Sequence, residues 1–404
     1  MSSLFDAVEM APRDPILGLT EQFVADPNPA KVNLGIGVYT DENGKLPLLR
    51  CVRTAEEAMI ETPKARGYLP IDGLAAYDSA TQAMVFGEDC EARRDGRIAT
   101  IQAVGGTGAL KVGADLLQRL NPSAKALIST PSWENHRSLF EGAGFEVDTY
   151  AYYDAARQGV DLPGMLASLR AAAPGTVVVL HACCHNPTGC DLTPAEWDEV
   201  IAVLKAQRLV PFLDLAYQGF GDGIAEDGLA VRKCLDAGLD FFVATSFSKS
   251  FSLYGERVGA LSVVCGSRDA ATRVLSQLKR VIRTNYSNPP THGATAVAQV
   301  LSTPALRQQW EDELGEMRNR IKRMRLALQQ KLDAAGARLD TGFITRQRGM
   351  FSYSGLDVAQ MQRLRQEFGV YGLDSGRICV AALNDSNIDS VVRAIARVTQ
   401  GANA

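Results

Sequence analysis

The chain has no strong excess of either charge. Its 42 lysine and arginine residues stand against 46 aspartate and glutamate residues, so the net charge is only −4 over 404 residues. Because the two signs are mixed along the sequence, no broad basic face is expected on the folded protein. Nucleic acids and anionic membrane surfaces are therefore not expected as partners.

Long apolar runs and a secretion signal are also missing. Apolar runs such as residues 176–180 are far shorter than the roughly 20 residues that a membrane-spanning helix requires. The N-terminal stretch MSSLFDAVEMAPRDP has no basic start followed by an apolar segment. The eight cysteines are scattered and lie mostly in apolar segments, as is typical of reduced thiols. We therefore expect a cytoplasmic enzyme.

No internal repeat, low-complexity tract or flexible linker interrupts the chain, although 404 residues exceed what one hydrophobic core usually organises. Short apolar runs alternate with amphipathic stretches through its middle. This alternation predicts an α/β fold with a mostly parallel central sheet covered on both faces. The predicted strands are 126–129, 176–180, 210–213, 240–244 and 260–265, and the predicted helices are 107–120, 163–173, 194–207 and 228–238.

A single long helix is predicted over residues 304–336, because apolar side chains recur there every three or four residues until Gly336. Apolar stretches at 349–353, 369–373 and 377–382 then predict the strands of a smaller α+β unit. A helix of this length usually bridges two bodies. We therefore predict a large domain over residues 46–315 and a small domain that combines residues 1–45 with 316–404.

The segment FFVATSFSK, residues 241–249, joins an apolar strand to two serines and Lys249, and Arg257 follows eight residues later. A lysine where a buried strand ends is partly desolvated, which favours its neutral, nucleophilic amine. The hydroxyls of Ser246 and Ser248 and the guanidinium of Arg257 can bind a phosphate dianion. The pairing suggests pyridoxal phosphate, which carries an aldehyde and a phosphate on one ring. A solvated lysine at a strand end is the alternative.

Asp214 ends another apolar run and is followed closely by Tyr217. In a parallel α/β sheet, ligands bind beyond the carboxyl ends of the strands, so this carboxylate is expected to face the site. It could keep a pyridinium nitrogen protonated, and Tyr217 could hydrogen-bond the phenolate oxygen of the ring. Asp214 could equally be a helix N-cap.

The sequence GGTG at residues 105–108 precedes an amphipathic helix. Glycines let the backbone wrap an anion, and a helix N-terminus presents free N–H groups to it. A plain tight turn is equally consistent with this short motif.

The segment HACCHNPTGC, residues 181–190, invites a zinc assignment. Adjacent residues on a strand point to opposite sides, so Cys183 and Cys184 would not easily share a tetrahedral site. No second ligand pair with suitable spacing is apparent, and we predict no metal site. The segment is interpreted as a strand that enters an Asn-Pro-Thr-Gly turn, in which Asn186 could donate to an oxygen of the cofactor ring.

Two arginines could hold substrate carboxylates. Arg377 lies at the start of an apolar strand, and its planar guanidinium suits bidentate capture of an α-carboxylate. Arg283 is a second candidate, and for each the alternative is a surface ion pair. Trp133 and His136 could stack on or orient an aromatic ring, although a buried tryptophan more often fills a core.

These pieces resemble the class I aspartate/aromatic aminotransferases over nearly the whole chain. The matching stretches follow the family order and spacing: 32–39 (VNLGIGVY), 68–73 (YLPIDG), 105–110 (GGTGAL), 133–136 (WENH), 181–189 (HACCHNPTG), 214–220 (DLAYQGF), 246–249 (SFSK), 256–259 (ERVG), 286–290 (YSNPP) and 375–377 (SGR). Such a resemblance implies the pyridoxal-phosphate fold with a large cofactor-binding domain and a smaller α+β domain.

The resemblance also implies roles for individual residues. Lys249 would bind pyridoxal phosphate as a Schiff base and then act as general acid and base, and Asp214 would pair with the pyridine nitrogen. The catalytic group would be Lys249, Asp214, Tyr217 and Trp133. The cofactor would be bound by Asn186 and Tyr217 at its ring oxygen, Trp133 and His181 at its ring, and Gly106, Thr107, Ser246, Ser248, Arg257 and the partner subunit's Tyr68 at its phosphate.

For the substrate, the resemblance implies that Arg377 binds the α-carboxylate beside Gly37, Asn186 and Trp133. Arg283, contributed by the neighbouring subunit, would bind the side-chain carboxylate of dicarboxylic substrates. Sites shared in this way imply a homodimer. Two positions depart from the family pattern, because Gly105 stands where many members have serine and Ala382 replaces a usual glycine.

Retention of Arg283 indicates a dicarboxylate partner such as 2-oxoglutarate, and several stretches look most like the bacterial aromatic-amino-acid branch. We therefore expect transfer of the amino group from phenylalanine, tyrosine or aspartate to 2-oxoglutarate in two half-reactions. A strict aspartate aminotransferase is one alternative. A pyridoxal-phosphate lyase or decarboxylase, or a non-catalytic regulatory protein on the same fold, is another.

Overall fold

The computed structural model describes residues 3–12 and 14–400. Its α-helices are α1 Pro15–Ala25, α2 Arg50–Glu61, α3 Ala75–Phe86, α4 Glu91–Arg94, α5 Gly105–Leu120, α6 Glu134–Glu141, α7 Leu162–Ala171, α8 Pro194–Ala206, α9 Ile224–Asp227, α10 Leu229–Asp236, α11 Arg268–Asn285, α12 His292–Ser302, α13 Pro304–Ala334, α14 Phe343–Arg346, α15 Val358–Phe368 and α16 Ile388–Thr399. Short 3₁₀ helices lie at Leu4–Ala7, Tyr254–Glu256 and Val380–Ala382. Within the described ranges, no helix is both long and apolar enough to cross a membrane.

The strands are β1 Val32–Asn33, β2 Ile98–Val104, β3 Lys125–Thr130, β4 Glu146–Ala151, β5 Tyr153–Asp154, β6 Gly159–Val160, β7 Val177–His181, β8 Val210–Leu215, β9 Phe241–Ser246, β10 Val258–Val264, β11 Phe351–Tyr353, β12 Val370–Tyr371 and β13 Arg377–Cys379. Seven of them form the central sheet in the order β2-β10-β9-β8-β7-β3-β4. Strand β10 is antiparallel to both of its neighbours, and the other pairs are parallel. The predicted fold class, α/β with a mostly parallel sheet, is confirmed.

Burial explains why the middle strands are continuous apolar runs. Every residue of β7, β9 and β10 is buried, because helices cover both faces of the sheet. Helices such as α5 are amphipathic and bury their apolar face in this core. Helix α8 begins with a capping box between Thr193 and Glu196. The rigid sheet therefore fixes the positions of the residues at its strand ends.

The strand ends carry the predicted site residues to one edge of the sheet. In the register of the sheet, His181 at the end of β7 pairs with Asp214 in β8, and Leu215 pairs with Thr245 in β9. Because these three strands are parallel, their carboxyl ends open at the same edge. His181, Asp214 and Ser246 therefore emerge side by side.

The C-terminal part pairs with the N-terminal part through short strands. Strand β1 is parallel to β12, and β11 is antiparallel to β13. Helix α13 extends over 31 residues across the predicted domain boundary at residue 315. These pairings are compatible with a small domain built from both ends of the chain, and the boundaries 46–315 and 1–45 with 316–404 stay a prediction.

Two details of the sequence-based strands need correction. The strand predicted over 377–382 ends at Cys379, and Val380–Ala382 form a 3₁₀ turn. Ala382 is accommodated in that turn, where its carbonyl accepts a hydrogen bond from Asn387 Nδ2 at 3.0 Å. Strands β2 and β4 were not predicted. Buried Thr100 and Gln102 interrupt the apolar run of β2, and β4 at the sheet edge is mostly polar.

Candidate active site

A cavity of about 250 Å³ opens at the edge of the sheet where β7, β8 and β9 end. It collects most of the predicted site residues from segments that are far apart in sequence. They are Gly37, Gly106, Thr107, Trp133, His181, Asn186, Asp214, Tyr217, Ser246, Ser248, Lys249, Arg257 and Arg377. The cavity is therefore the candidate active site.

Lys249 follows β9 by a short turn and faces this cavity. Its Nζ lies 5.0 Å from the centre of the Tyr217 ring. Burial lowers the pKa of the amine to about 8, although the charge of Asp214 acts in the opposite direction. The site thus contains a lysine that loses its proton more than two pH units below an ordinary lysine, as a nucleophilic amine requires.

Asp214 lies near the end of β8 and receives a hydrogen bond at one carboxylate oxygen. The Nε2 atom of His136 is 3.0 Å from its Oδ2, and Nδ1 of His136 contacts the Ser132 hydroxyl at 2.9 Å. Burial by itself raises the pKa of Asp214, but the hydrogen bond from His136, together with the nearby His136, His181 and Lys249, holds it below its usual value. The carboxylate is therefore kept ionised inside the protein.

His181 is buried next to Asp214 and lines the cavity. Its ring lies 5.0 Å from that of His136 and 4.3 Å from that of His185. Neither of its ring nitrogens has a hydrogen-bond partner within the described residues. Burial, and then the neighbouring His185 and His136, hold its pKa well below the usual value, so His181 is a neutral imidazole with an unused donor.

An anion-binding corner forms where α5 begins. No side chain among the described residues caps this helix, so its first amides, at Gly106 and Thr107, lack intrahelical partners. Gly105 has φ +68°, and a Cβ there would lie 2.4 Å from Nη2 of Arg257. Arg257 thus lies close to the backbone of Gly105, and its Nη1 is 3.4 Å from the Ser248 hydroxyl.

Arg377 closes the opposite side of the cavity and is almost completely buried, with 1% exposure. Its Nη1 donates to Asn186 Oδ1 at 3.1 Å and its Nη2 donates to the Gly35 carbonyl at 2.7 Å. Its Nε has no hydrogen-bond partner in the described part of the chain. A buried guanidinium with no carboxylate partner and an unused donor is suited to an incoming carboxylate.

Two predicted residues are not part of this cavity. Tyr68 is 95% exposed, and Arg283 lies exposed in the last turn of α11, where its guanidinium donates to the Ser287 hydroxyl. Their positions do not contradict the prediction, because both were expected to act in the site of a neighbouring subunit. Within one chain, neither contributes to the candidate site.

Several cavity residues were not predicted. They are Ile16, Leu110, Ala216, Tyr254 and Phe351. Leu110 and Ala216 lie within two of the stretches that resemble the family, 105–110 and 214–220, but neither residue type alone indicates chemistry. By residue type, Ile16 and Phe351 give no sequence signal, since an apolar side chain in a cavity wall is indistinguishable from a core residue.

Cys183 and Cys184 do not lie on a strand, so the alternation expected for their side chains is wrong. Strand β7 ends at His181, and Cys184 has φ +51°, so the alternation of a strand does not apply. Ligand atoms of Cys183, Cys184 and Asp227 lie within 4.8 Å of one another, as do those of His136, His181 and Asp214. The cysteines are buried with raised thiol pKa values, and Asp227 accepts N–H bonds from Gly219 and Gly221. The absence of a metal stays a prediction.

The donors of the cavity fit pyridoxal phosphate. The amides of Gly106 and Thr107, the hydroxyls of Ser246 and Ser248 and Arg257 form one cationic, donor-rich corner for a dianion. Asp214 supplies a carboxylate for a ring nitrogen, and the unused nitrogens of His181 remain to be satisfied. Lys249 supplies the amine for the aldehyde.

A family model described as "Aminotransferase class I and II" matches residues 29–395. Among curated proteins, the chain is 62% identical to an aspartate aminotransferase of Pseudomonas aeruginosa, over 98% of this chain and 100% of that protein. It is 50% identical to an aromatic-amino-acid aminotransferase of Escherichia coli, again over 98% of this chain and 100% of the relative.

Solved structures of aminotransferases are also similar to this chain. An aromatic-amino-acid aminotransferase from Burkholderia pseudomallei, covalently bound to pyridoxal phosphate, matches with a TM-score of 0.97 and 64% identity, covering 98% of this chain and 100% of that chain. A cytoplasmic aspartate aminotransferase from Saccharomyces cerevisiae matches with a TM-score of 0.96 and 35% identity, covering 98% of each chain.

Proposed function

The chain belongs to the family of class I and II aminotransferases and uses pyridoxal phosphate, and from this premise we propose that it transfers the amino group of phenylalanine, tyrosine or aspartate to 2-oxoglutarate. The observation that carries this proposal is the occurrence of Lys249, Asp214 and Arg377 around one cavity. An amine of lowered pKa, a fixed carboxylate and a buried carboxylate-binding guanidinium are the groups that amino transfer requires.

Bound pyridoxal phosphate supplies an aldehyde that takes up the amino group and a ring that withdraws electrons from the reacting carbon. Arg377, assisted by Asn186 and the backbone at Gly37, binds the α-carboxylate and so orients the Cα–H bond toward Lys249. The neutral amine of Lys249 then accepts the proton from the substrate's Cα. Trp133, Tyr217 and Asp214 hold the ring in place. The second half-reaction reverses these steps with a different 2-oxo acid.

Product analysis with phenylalanine and 2-oxoglutarate tests this function. We expect stoichiometric glutamate and the 2-oxo acid of phenylalanine, and catalytic efficiencies for phenylalanine, tyrosine and aspartate then rank the three donors. Turnover of aspartate alone would identify a strict aspartate aminotransferase. Release of CO₂ or ammonia would identify a decarboxylase or lyase. A purified protein without cofactor absorbance or turnover would indicate a regulatory protein.

Replacing Lys249 by alanine should leave the cofactor-binding corner intact and abolish transfer. The variant should bind pyridoxal phosphate without covalent linkage, so borohydride reduction followed by peptide mass analysis should find the cofactor on residue 249 of the native protein only. Turnover should fall by at least about 10⁴-fold, because no other amine in the described cavity can move the Cα proton. Robust turnover by the variant would contradict the assignment.

We propose that Arg283 binds the side-chain carboxylate of aspartate and glutamate in a neighbouring subunit and moves aside for aromatic rings. Its side chain is exposed, and within the described residues its guanidinium hydrogen-bonds only the Ser287 hydroxyl, which supports such a movement. A guanidinium facing a ring would otherwise stay unpaired, which is costly in a buried site. Arg283→Leu should therefore impair aspartate turnover by about 10²-fold or more and phenylalanine turnover much less.

The control for this variant is Arg273→Leu, which removes another exposed arginine from helix α11. The control should leave the ratio of aspartate to phenylalanine efficiency unchanged. Equal losses for both substrates in Arg283→Leu would reject the proposed role.

We also propose an oligomeric state, a cellular location and a domain division for this chain. A homodimer with shared sites is supported by the exposure of Tyr68 and Arg283, two residues that the family resemblance assigns to a neighbouring active site. A cytoplasmic location is supported by eight free cysteines, none of which forms a disulfide. The division into a large domain at 46–315 and a small domain at 1–45 with 316–404 is proposed on the pairing of β1 with β12.

A further inference from the structure

Phe351 is a cavity residue without an evident chemical role, yet it contacts three of the site residues. Its ring centre lies 4.4 Å from Cζ of Arg377, so the guanidinium sits over the aromatic face. The same ring lies 5.8 Å from that of Tyr217, nearly perpendicular to it. On its third side it packs against Gly37, where an added Cβ would lie 2.8 Å from Cζ of the phenylalanine. The ring therefore has little freedom to shift.

The backbone of Phe351 is fixed as tightly as its ring. Strand β11 pairs with β13 in a register that sets Phe351 opposite Cys379 and Tyr353 opposite Arg377. Arg325, a buried residue of α13, donates to the carbonyl of Phe351 and to that of Gly349 at 2.9 Å. Burying the guanidinium of Arg325 costs desolvation free energy, and its hydrogen bonds to these carbonyls offset that cost. The same bonds attach β11 to helix α13.

Arg377 needs this support because its own hydrogen bonds do not fix its plane. Asn186 and the Gly35 carbonyl each bind one terminal nitrogen, and Nε has no partner within the described residues. Bidentate binding of a carboxylate depends on the orientation of the guanidinium plane. The face of the Phe351 ring is the flat surface that limits its tilt.

We propose that Phe351 is a positioning residue for the substrate's α-carboxylate, because its ring holds the guanidinium of Arg377 in the plane that a carboxylate requires. This inference rests on the proposed role of Arg377. Phe351 itself binds no proton and supplies no charge. Its effect should therefore appear in the binding of carboxylates and not in the binding of the cofactor.

The test is Phe351→Leu in the holoenzyme, which removes the aromatic face and keeps an apolar side chain. Two non-reacting ligands are compared by calorimetry, 3-phenylpropionate and its neutral analogue 3-phenylpropanamide. We expect the dissociation constant of the carboxylate to rise about tenfold, and that of the amide to change less than about twofold. The KM for phenylalanine should rise more than kcat falls, and cofactor absorbance should be unchanged.

Phe343→Leu is the matched control, because Phe343 is completely buried in α14 and does not line the cavity. This control should lower the free energy of unfolding but leave the ratio of the two ligands' dissociation constants unchanged. If Phe351→Leu does not fold, Phe351→Met provides the same comparison with a more adaptable side chain.

Equal weakening of both ligands, or no weakening of either, would overturn the positioning role. The variant Arg377→Lys distinguishes failure of the positioning role of Phe351 from failure of the proposed function. If Arg377 binds the carboxylate, this variant should weaken the binding of 3-phenylpropionate, whether or not Phe351 positions Arg377. If it leaves 3-phenylpropionate unaffected, Arg377 is not the carboxylate site and the proposed function is at fault.

Discussion

At the scale of single residues, the site works through opposed electrostatic effects on neighbouring groups. Burial lowers the pKa of Lys249 and would raise that of Asp214, but His136 and its neighbours keep the carboxylate ionised. The lowered pKa increases the fraction of Lys249 that is a neutral amine, and the lowered pKa of Asp214 favours its anion. Burial favours the neutral amine of Lys249, whereas the hydrogen bond from His136 keeps Asp214 ionised in spite of its burial.

The shifted pKa of Lys249 predicts how its reactivity depends on pH. In cofactor-free protein, acylation of this amine should increase with pH through a midpoint near 8, because the neutral form is the nucleophile, whereas an ordinary lysine titrates near 10.5. Peptide mass analysis after brief labelling at a series of pH values measures the midpoint. Asp214→Asn should move it further down, since the negative charge raises the pKa. A midpoint near 10.5 would refute the burial argument.

At the scale of secondary-structure elements, the start of helix α5 depends on a close approach to strand β10. An ideal Cβ on Gly259 would lie 2.4 Å from the carbonyl carbon and 2.5 Å from the oxygen of Gly105. These are backbone atoms, which cannot rotate away as a side chain can. Residue 259 therefore has to be glycine if the first amides of α5 are to face the anion-binding corner.

Gly259→Ala should displace the first turn of α5 and weaken the binding of phosphate groups. We expect a loss of about 1–3 kcal/mol in the free energy of unfolding, and an affinity for pyridoxal phosphate lower by about tenfold or more. Denaturant unfolding and titration of cofactor-free protein measure the two effects. Gly255→Ala is the control, because a Cβ there meets nothing within 4 Å. Similar behaviour of both variants would contradict the packing argument.

The longest element, helix α13, binds C-terminal segments of the chain through buried arginines. Arg320 donates to the carbonyls of Ala381 and Leu383 at 3.3 and 2.5 Å, and Arg325 donates to those of Ile344 and Gly349. Both arginines thus bind backbone segments that flank the strands carrying Phe351 and Arg377. The position of the substrate-binding side of the cavity is therefore set by a helix that does not itself line it.

At the scale of the whole molecule, the exposed Tyr68 and Arg283 predict that a complete site needs two chains. In a hybrid dimer of Lys249→Ala and Arg283→Leu chains, one site combines a native Lys249 with a native Arg283 from the partner. Such hybrids should regain about half of the native aspartate activity, whereas each variant alone stays inactive toward aspartate. Activity measured after mixing, unfolding and refolding the two variants checks this. No recovery in verified hybrids would mean that the sites are not shared.

Much of the fold could be predicted from the sequence, because the pattern of apolar residues along the chain indicates which segments are buried. The strands around residues 177–181, 210–215 and 241–246 are continuous apolar runs, since both faces of the sheet are covered. Strand β2 was missed because it buries polar side chains that bond across the sheet, such as Thr100 to the Ser262 hydroxyl at 2.8 Å. Such pairing depends on a residue 162 positions away, which no local pattern contains.

For the site, residue types and their spacing already indicate which chemistry is available. Lys249 with two serines and Arg257, and Asp214 at the end of an apolar run, are local patterns whose residue types already limit the cofactor. The folded structure was needed to show that the Phe351 ring lies against Arg377, that ligand atoms of Cys183 and Cys184 lie within 4.8 Å of each other, and that Arg257 lies close to Gly105. The physical reason is that residue type and spacing fix charge, nucleophilicity and period, whereas the orientation of one side chain against another is set by packing between distant segments.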